Sequence, residues 1–293
     1  MEVLIETCCG IDVHQKSIVC CILDGPLESN KPKKIQKKFG TTTIALQNAL
    51  DWLLENHVTH VFFESTGQYW VPLFNIFSDS ELNLILANPQ HIKNVPGRKT
   101  DKIDAEKLAK SQLVHNRKPT YVQEEVYQHL RDLSRFYQNM TEDLVRTKNR
   151  LHKVLQVTFP ELENLLSTPT GEQYWNLVMA FPCKEFVLSL SQSNLCEIIR
   201  QSTSKRISEK RVTYLVDKLT KLANQSYCAV KKTSPMLEEV RYYAQELLRL
   251  SERRQVVLSD MVALAQPLPE YDILRSIPGI AETTATSIIG ELG

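Results

Sequence analysis

The sequence predicts an α/β domain at the N-terminus, built around a mixed sheet and followed by an elongated helical region. Three observations predict it. Two short apolar runs within Thr7 to Leu23 are broken by the polar stretch Asp12-Val-His-Gln-Lys16, the pattern of a β-hairpin. Strand-like and helix-like segments then alternate to about residue 115, which calls for helices packed on a sheet. Beyond Glu124, the residues Leu130, Leu133, Tyr137, Met140, Leu144, Thr147, Leu151 and Val154 follow three-and-four spacing, the mark of a long helix with a coiled-coil seam.

Each element follows in turn. Behind a Lys-rich link, Ile35 to Phe39 reads as a third strand. Thr42 to Glu55 carries Ile44, Ala45, Ala49, Trp52 and Leu53 at helical spacing. His60 to Phe63 is a β-branched and aromatic strand that ends on Glu64. Val71 to Phe77 reads as helix and Leu84 to Ala87 as strand, closed by Asn88-Pro89. Phe159-Pro160 ends the long helix, and Pro169, Gly171 and Pro182 punctuate shorter pieces after it. Helical spacing resumes at Val212, Leu215, Leu219 and Leu222, and again from Leu237 through Val240, Ala244 and Leu247 to Leu258 and Met261. Pro267 and Pro269 set off a last segment, Leu274 to Gly293. Three domains are expected, at 1–118, 119–268 and 269–293.

Composition narrows the function classes. Lys plus Arg is 35 against 34 Asp plus Glu, a net charge of +1, which excludes a histone-like polycation and leaves only local patches to bind polyanions. No apolar run approaches the ~20 residues of a membrane span, and the acidic, strand-like N-terminus does not read as a secretory signal. The seven Cys are odd in number and lack CxxC spacing, so they are expected to be reduced core residues of a cytoplasmic protein.

Four acids stand out. Asp12 lies within an apolar strand, where a carboxylate needs a partner. Glu64 ends a strand at Ser65-Thr66-Gly67. Asp101 and Asp104 stand three apart at the start of a helix, behind Thr100 as an N-cap, which puts both on one helical face. Brought together, four carboxylates would repel unless a hard cation such as Mg²⁺ or Mn²⁺ neutralised them. Two such ions can flank a phosphodiester. Spacing alone fits solvated surface acids as well. His14, beside Asp12, has either a structural or a proton-transfer role.

The motifs Gly10-Ile-Asp-Val-His14, Phe63-Glu-Ser-Thr-Gly-Gln-Tyr-Trp70, Asn88-Pro89 and Lys93 to Ala109 occur in succession. Together they resemble the DEDD transposases of insertion sequences, relatives of the Piv-type DNA invertases. Arg131-Asp-Leu-Ser-Arg135, Lys148-Asn-Arg-Leu-His152 and Ile277-Pro-Gly-Ile280 extend the resemblance through the helical region. The resemblance implies a RuvC-like N-terminal domain of RNase H-like fold, with Asp12, Glu64, Asp101 and Asp104 as a catalytic, metal-binding tetrad. It also implies a Mg²⁺-dependent recombinase that acts on donor and target DNA, guided by a structured noncoding bridge RNA. The family's Ser nucleophile lies beyond the Ile-Pro-Gly-Ile motif, so the chain reads as C-terminally truncated. Ser276 and Ser287 do not correspond to that position, and no covalent nucleophile is expected within these residues. A RuvC-type endonuclease and a non-catalytic RNA- and DNA-binding scaffold are the alternatives.

Three basic stretches are candidates for nucleic acid: Lys31 to Lys38, Arg98-Lys99, and the acid-free turns bearing Arg146, Lys148, Arg150 and Lys153. Each also reads as a solvated face, and the first as a hairpin link. Leu274 to Gly290 resembles a helix-hairpin-helix, although an ordinary αα-turn fits equally. Tyr69-Trp70 suits the core better than base stacking. The long seam predicts a homo-oligomer, dimer or tetramer.

Overall fold

Strands β1 (Thr7–Val13) and β2 (Ser17–Asp24) form the antiparallel hairpin, with Asp12 opposite Val19 and Gly10 opposite Cys21. The computed structural model describes residues 5, 7–25, 32–64, 67–87, 101–114, 124–227 and 229–293, and within 101–114 the side chains of 103–110. Strand β3 (Lys33–Gly40) adds antiparallel to β2, while β4 (His60–Glu64) and β5 (Asn83–Ala87) continue parallel from β1. The sheet order is β3-β2-β1-β4-β5. Asn88-Pro89, expected to close β5, lies outside the described residues.

Period-two alternation assigns the faces. Cys9, Ile11, Ile22, Val61 and Phe63 meet helices α1 (Thr43–Glu55) and α2 (Trp70–Phe77) through Leu46, Leu53, Leu73 and Phe77. Cys8, Val19, Cys21 and Phe62 meet Ala105 and Ala109 of α3 (Asp101–Val114) on the other face. Burial on both faces explains why β1, β2 and β4 read as continuous apolar runs. Thr42 starts α1 by accepting the Ala45 N–H at 3.3 Å. Each fully buried Phe or Leu contributes about 1.5–3 kcal/mol.

The cysteines are core residues. Cys8, Cys9, Cys20, Cys21 and Cys183 are buried, Cys196 is half-buried, and all six are free thiols. Cys228 lies outside the described residues. Burial, then the neighbouring Cys21, pushes the Cys8 thiol up to about 12.

Residues 1–122 and 123–293 form two separate units. In the second, α4 (Glu125–Thr158) is followed by a 3₁₀ turn (Pro160–Asn164), α5 (Glu172–Ala180), α6 (Lys184–Leu188), α7 (Gln192–Gln201) and α8 (Glu209–Gln225). Then come α9 (Met236–Ala265), α10 (Pro269–Arg275) and α11 (Glu282–Leu292). Helices α4 and α9 run antiparallel: Leu151 and Val154 share a core with Val240 and Ala244, and Leu130 and Met140 share another with Val257 and Met261. The last segment packs in this same unit, with Tyr271, Ala285 and Ile289 completing the Leu130 core.

The coiled-coil expectation changes here. Leu130, Met140, Leu144 and Leu151 are at most 4% exposed within one chain, because α9 and α11 cover them. The three-and-four spacing records an intramolecular helix pair. Because these seam residues are covered within the chain, the spacing by itself does not argue for a second copy.

Candidate functional site

Ile11 pairs with Phe63 across the parallel β1–β4 contact, so Asp12 and Glu64 are the next residues along neighbouring strands. Both take the α3 face: Gly10 of the same parity as Asp12 touches α3, and Phe62 of the same parity as Glu64 lies in the α3-side core. Gly10 sets how close the helix comes. A methyl group there would lie 2.1 Å from the Ala105 carbonyl oxygen and 2.6 Å from the Ala109 nitrogen. The backbone of α3 therefore rests on the strand two residues before Asp12. On that helix Asp104 immediately precedes Ala105, and Asp101 stands one turn upstream of it.

The Asp12 side chain is 17% exposed, and His14 Nε2–H donates to its Oδ2 at 3.1 Å. A carboxylate accepts only, so this bond fixes the proton of His14 on Nε2. Asp104 faces Lys107 at 3.8 Å one turn along α3. The side chain of Asp101 lies outside the described residues. Among the described residues, no three His, Cys, Asp or Glu side chains form a group able to hold a metal ion. Asp12, Glu64 and Asp104 nevertheless offer only hard carboxylate oxygens, the donor set for Mg²⁺ or Mn²⁺. A half-buried strand acid beside a second acid is where such a cation would relieve repulsion.

A second charged group crosses the same face. Glu106 of α3 binds Lys34 of β3 and, at 2.7 Å, Lys110. Lys110 and then Lys34 hold the Glu106 carboxyl below the usual carboxylate range. Sequence reading missed both this tie and the role of Gly10. Counting by twos from the apolar Ile35 and Phe39 would have put Lys34 on the α3 face.

The basic candidates separate once placed. Lys31, Arg98 and Lys99 lie outside the described residues, whereas Lys33 to Lys38 belong to a strand and not to a link. Arg146 pairs with Asp143 at 3.2 Å and Glu142 at 3.4 Å, the acids one turn upstream. Lys148 points elsewhere, 5.9 Å from the centre of the Trp175 ring. Arg150 and Lys153 are exposed and make no ion pair among the described residues. Arg150 lines a groove between α4 and α9 with Tyr242, Tyr243 and Arg249.

Ser276 and Ser287, which do not correspond to the family's nucleophile position, are both hydrogen-bonded. Ser287 shares a 2.8 Å hydrogen bond with Ser134, and Ser276 donates to the Ile273 carbonyl at 2.7 Å. Between α10 and α11, Gly279 takes φ +90° and Arg275 donates to the Ile280 carbonyl at 2.7 Å. The first turn of α11 carries Glu282. Trp70 packs on Phe74 in the core and donates to the Gly67 carbonyl at 3.1 Å, while Tyr69 is exposed.

The uncharacterized 43.6 kDa protein of insertion element IS110 from Streptomyces coelicolor is 24% identical over 203 residues, 68% of this chain and 49% of that protein. The chain thus spans about half the length of the curated relative it matches. A fowlpox virus resolvase, solved with its substrate Holliday junction DNA, is 17% identical and covers 36% of this chain and 98% of its own, at a TM-score of 0.29. The family model of the IS110-type DEDD transposases, described as transposase, matches residues 9–160, just over half of the sequence. No described helix is long and apolar enough to cross a membrane. The chain belongs to the IS110-type DEDD transposase family.

Proposed function

We propose that this chain is the metal-binding, nucleic-acid-gripping portion of a DNA recombinase that moves an insertion sequence under the guidance of a structured noncoding RNA. The observation that carries the reading is the side-by-side placement of Asp12 and Glu64 at the ends of neighbouring strands, on the sheet face against which α3 packs at Gly10. Asp12, Glu64, Asp101 and Asp104 would hold the Mg²⁺ or Mn²⁺. When bound, that ion supplies Lewis-acid polarisation of a phosphodiester. His14 orients Asp12 through its Nε2–H. Arg150 and Lys153 would take backbone phosphates, with Arg98 and Lys99 as further contacts. The Ser that attacks DNA covalently in this reading would lie outside residues 1–293.

Titration calorimetry with Mn²⁺ tests the site directly. The 293-residue chain should bind the ion, and Asp12→Asn or Glu64→Gln should weaken binding by tenfold or more. Unchanged affinity in both variants would remove the tetrad. Sequencing nucleic acid that co-purifies with the chain tests the guide: one enriched structured RNA supports it, and bulk host RNA argues against it.

A second reading is hydrolysis by the carboxylate site without a protein–DNA bond, which the placement of Asp12 and Glu64 on adjacent strand ends fits as well. A denatured, DNA-linked adduct formed by a chain extended beyond Gly293 would decide for recombination.

A further inference from the structure

We infer that Lys38 binds a backbone phosphate of the DNA strand whose neighbouring phosphodiester lies at Asp12 and Glu64. The inference rests on the recombinase reading above. Its ground is the register of four adjacent strands. Lys38 pairs with Val19, Val19 pairs with Asp12, and Glu64 follows the Ile11–Phe63 pair. Glu64, Asp12, Val19 and Lys38 therefore form one row across the sheet.

The face is fixed by Lys38's neighbours. Lys34 bonds to Glu106 of α3, and Gln36 hydrogen-bonds Cys21 in the α3-side core. Alternation puts Lys38 on that face too. Ile35 and Phe39 point the other way into the α1 side, where Lys37 stands 4.9 Å from the Phe39 ring centre and 5.6 Å from that of Trp52. The two lysines on the α3 face differ in charge balance. Lys34 is neutralised by Glu106, whereas Lys38 is exposed and makes no ion pair among the described residues.

Lysines on an edge strand also guard against pairing with another sheet edge. That role is indifferent to face and row, and it is served equally by Lys33 and Lys37. Lys38 alone shares the row of the acids, about two strand spacings or ~10 Å from Asp12. Paired carboxylates repel an approaching phosphodiester backbone. A cation on a flexible four-carbon stem beside them offsets that repulsion without reading sequence.

The test is fluorescence anisotropy of the whole 293-residue chain on labelled duplex DNA, across a salt series with Mg²⁺ present. Lys38→Ala should weaken binding several-fold near 100 mM salt and reduce the slope of log affinity against log salt by about 0.9, one phosphate's share. Lys38→Arg should restore the slope, and Lys37→Ala, on the opposite face, should leave it unchanged. Thermal melts of each variant confirm that the fold is retained, with Lys38→Gln as a second truncation. An unchanged slope in Lys38→Ala and Lys38→Gln, with the parent chain binding DNA, overturns the inference and leaves the recombinase reading standing. Weakened binding to an RNA duplex alone also overturns it, because Lys38 would then face the guide. A parent chain that binds no DNA brings down both.

Discussion

Gly10 in the sheet and Gly290 in the last helix each lie flush against the backbone of another helix. A methyl group at Gly10 would meet the Ala105 oxygen at 2.1 Å, and one at Gly290 would meet the Arg131 nitrogen at 2.8 Å. At Gly10 the close approach carries the Asp101–Asp104 helix over the strand that holds Asp12. At Gly290 it carries α11 onto α4, where Arg131 donates to the Gly290 and Glu291 carbonyls at 3.2 and 2.9 Å. The guanidinium thereby caps orphan carbonyls at the helix end. One contact seats a helix on a strand far earlier in the sequence, beside Asp12. The other fastens a helix, with each polar group spent on its neighbour.

Substitutions sharpen the contrast. The largest effect is expected from Gly10→Ala, because backbone atoms of α3 cannot yield as a side-chain tip can. A loss of about 3 kcal/mol or more is expected, confined to the α/β unit and accompanied by loss of Mn²⁺ affinity in calorimetry. Gly290→Ala adds comparable crowding, but alanine returns about 1 kcal/mol of helix propensity. Its net loss should be about 1 kcal/mol, read from denaturant unfolding of the helical unit, with Mn²⁺ affinity unchanged. A stabilised Gly290→Ala variant would break the parallel between the two glycines.

Smaller effects come from the polar ties. The folded state holds the Glu106 carboxyl low, so its contribution is present above the unfolded carboxylate pKa and is lost as pH falls through the folded value. Glu106→Gln should therefore cost up to about 1 kcal/mol at neutral pH and nothing once both states are protonated. Denaturation midpoints at pH 7 and pH 3 check this. Equal losses at both pH values would show that packing, not charge, is at work. The Arg135–Glu291 pair, 2.8 Å apart but solvent-exposed, should be worth about 0.5 kcal/mol. Arg135→Ala with and without 1 M salt measures it, and the difference should vanish in salt.

The two units also differed in how far their sequences could be read. In the α/β unit, short apolar runs and turn residues located each described strand to within a residue or two, and Asp12 was conspicuous as a charge in an apolar strand. What pattern could not reveal was proximity. Gly10 looked like a motif glycine, and only the crossing of α3 over β1 shows why a side chain is excluded there. In the helical unit, three-and-four spacing found α4 and α9 but could not say what covers them. Leu130 and Met140 belong to the same stripe whether the partner helix comes from another copy or from residue 257 onward. Arg146 and Lys148 were read as one basic surface. A helix turns 200° between them, so one meets Asp143 and the other Trp175.

The four sheet cysteines give the molecule an internal clock. A thiol reacts as thiolate, and these are shielded from solvent, with Cys8 pushed up to about 12. A thiol reagent can therefore modify them only through moments when the sheet opens, so the labelling rate reports the free energy of that opening. Cys183, buried at the start of α6, times the helical unit in the same reaction, and half-buried Cys196 supplies the fast reference. Mass spectrometry of one labelling course would then record the opening of each unit separately, with no probe added to the chain.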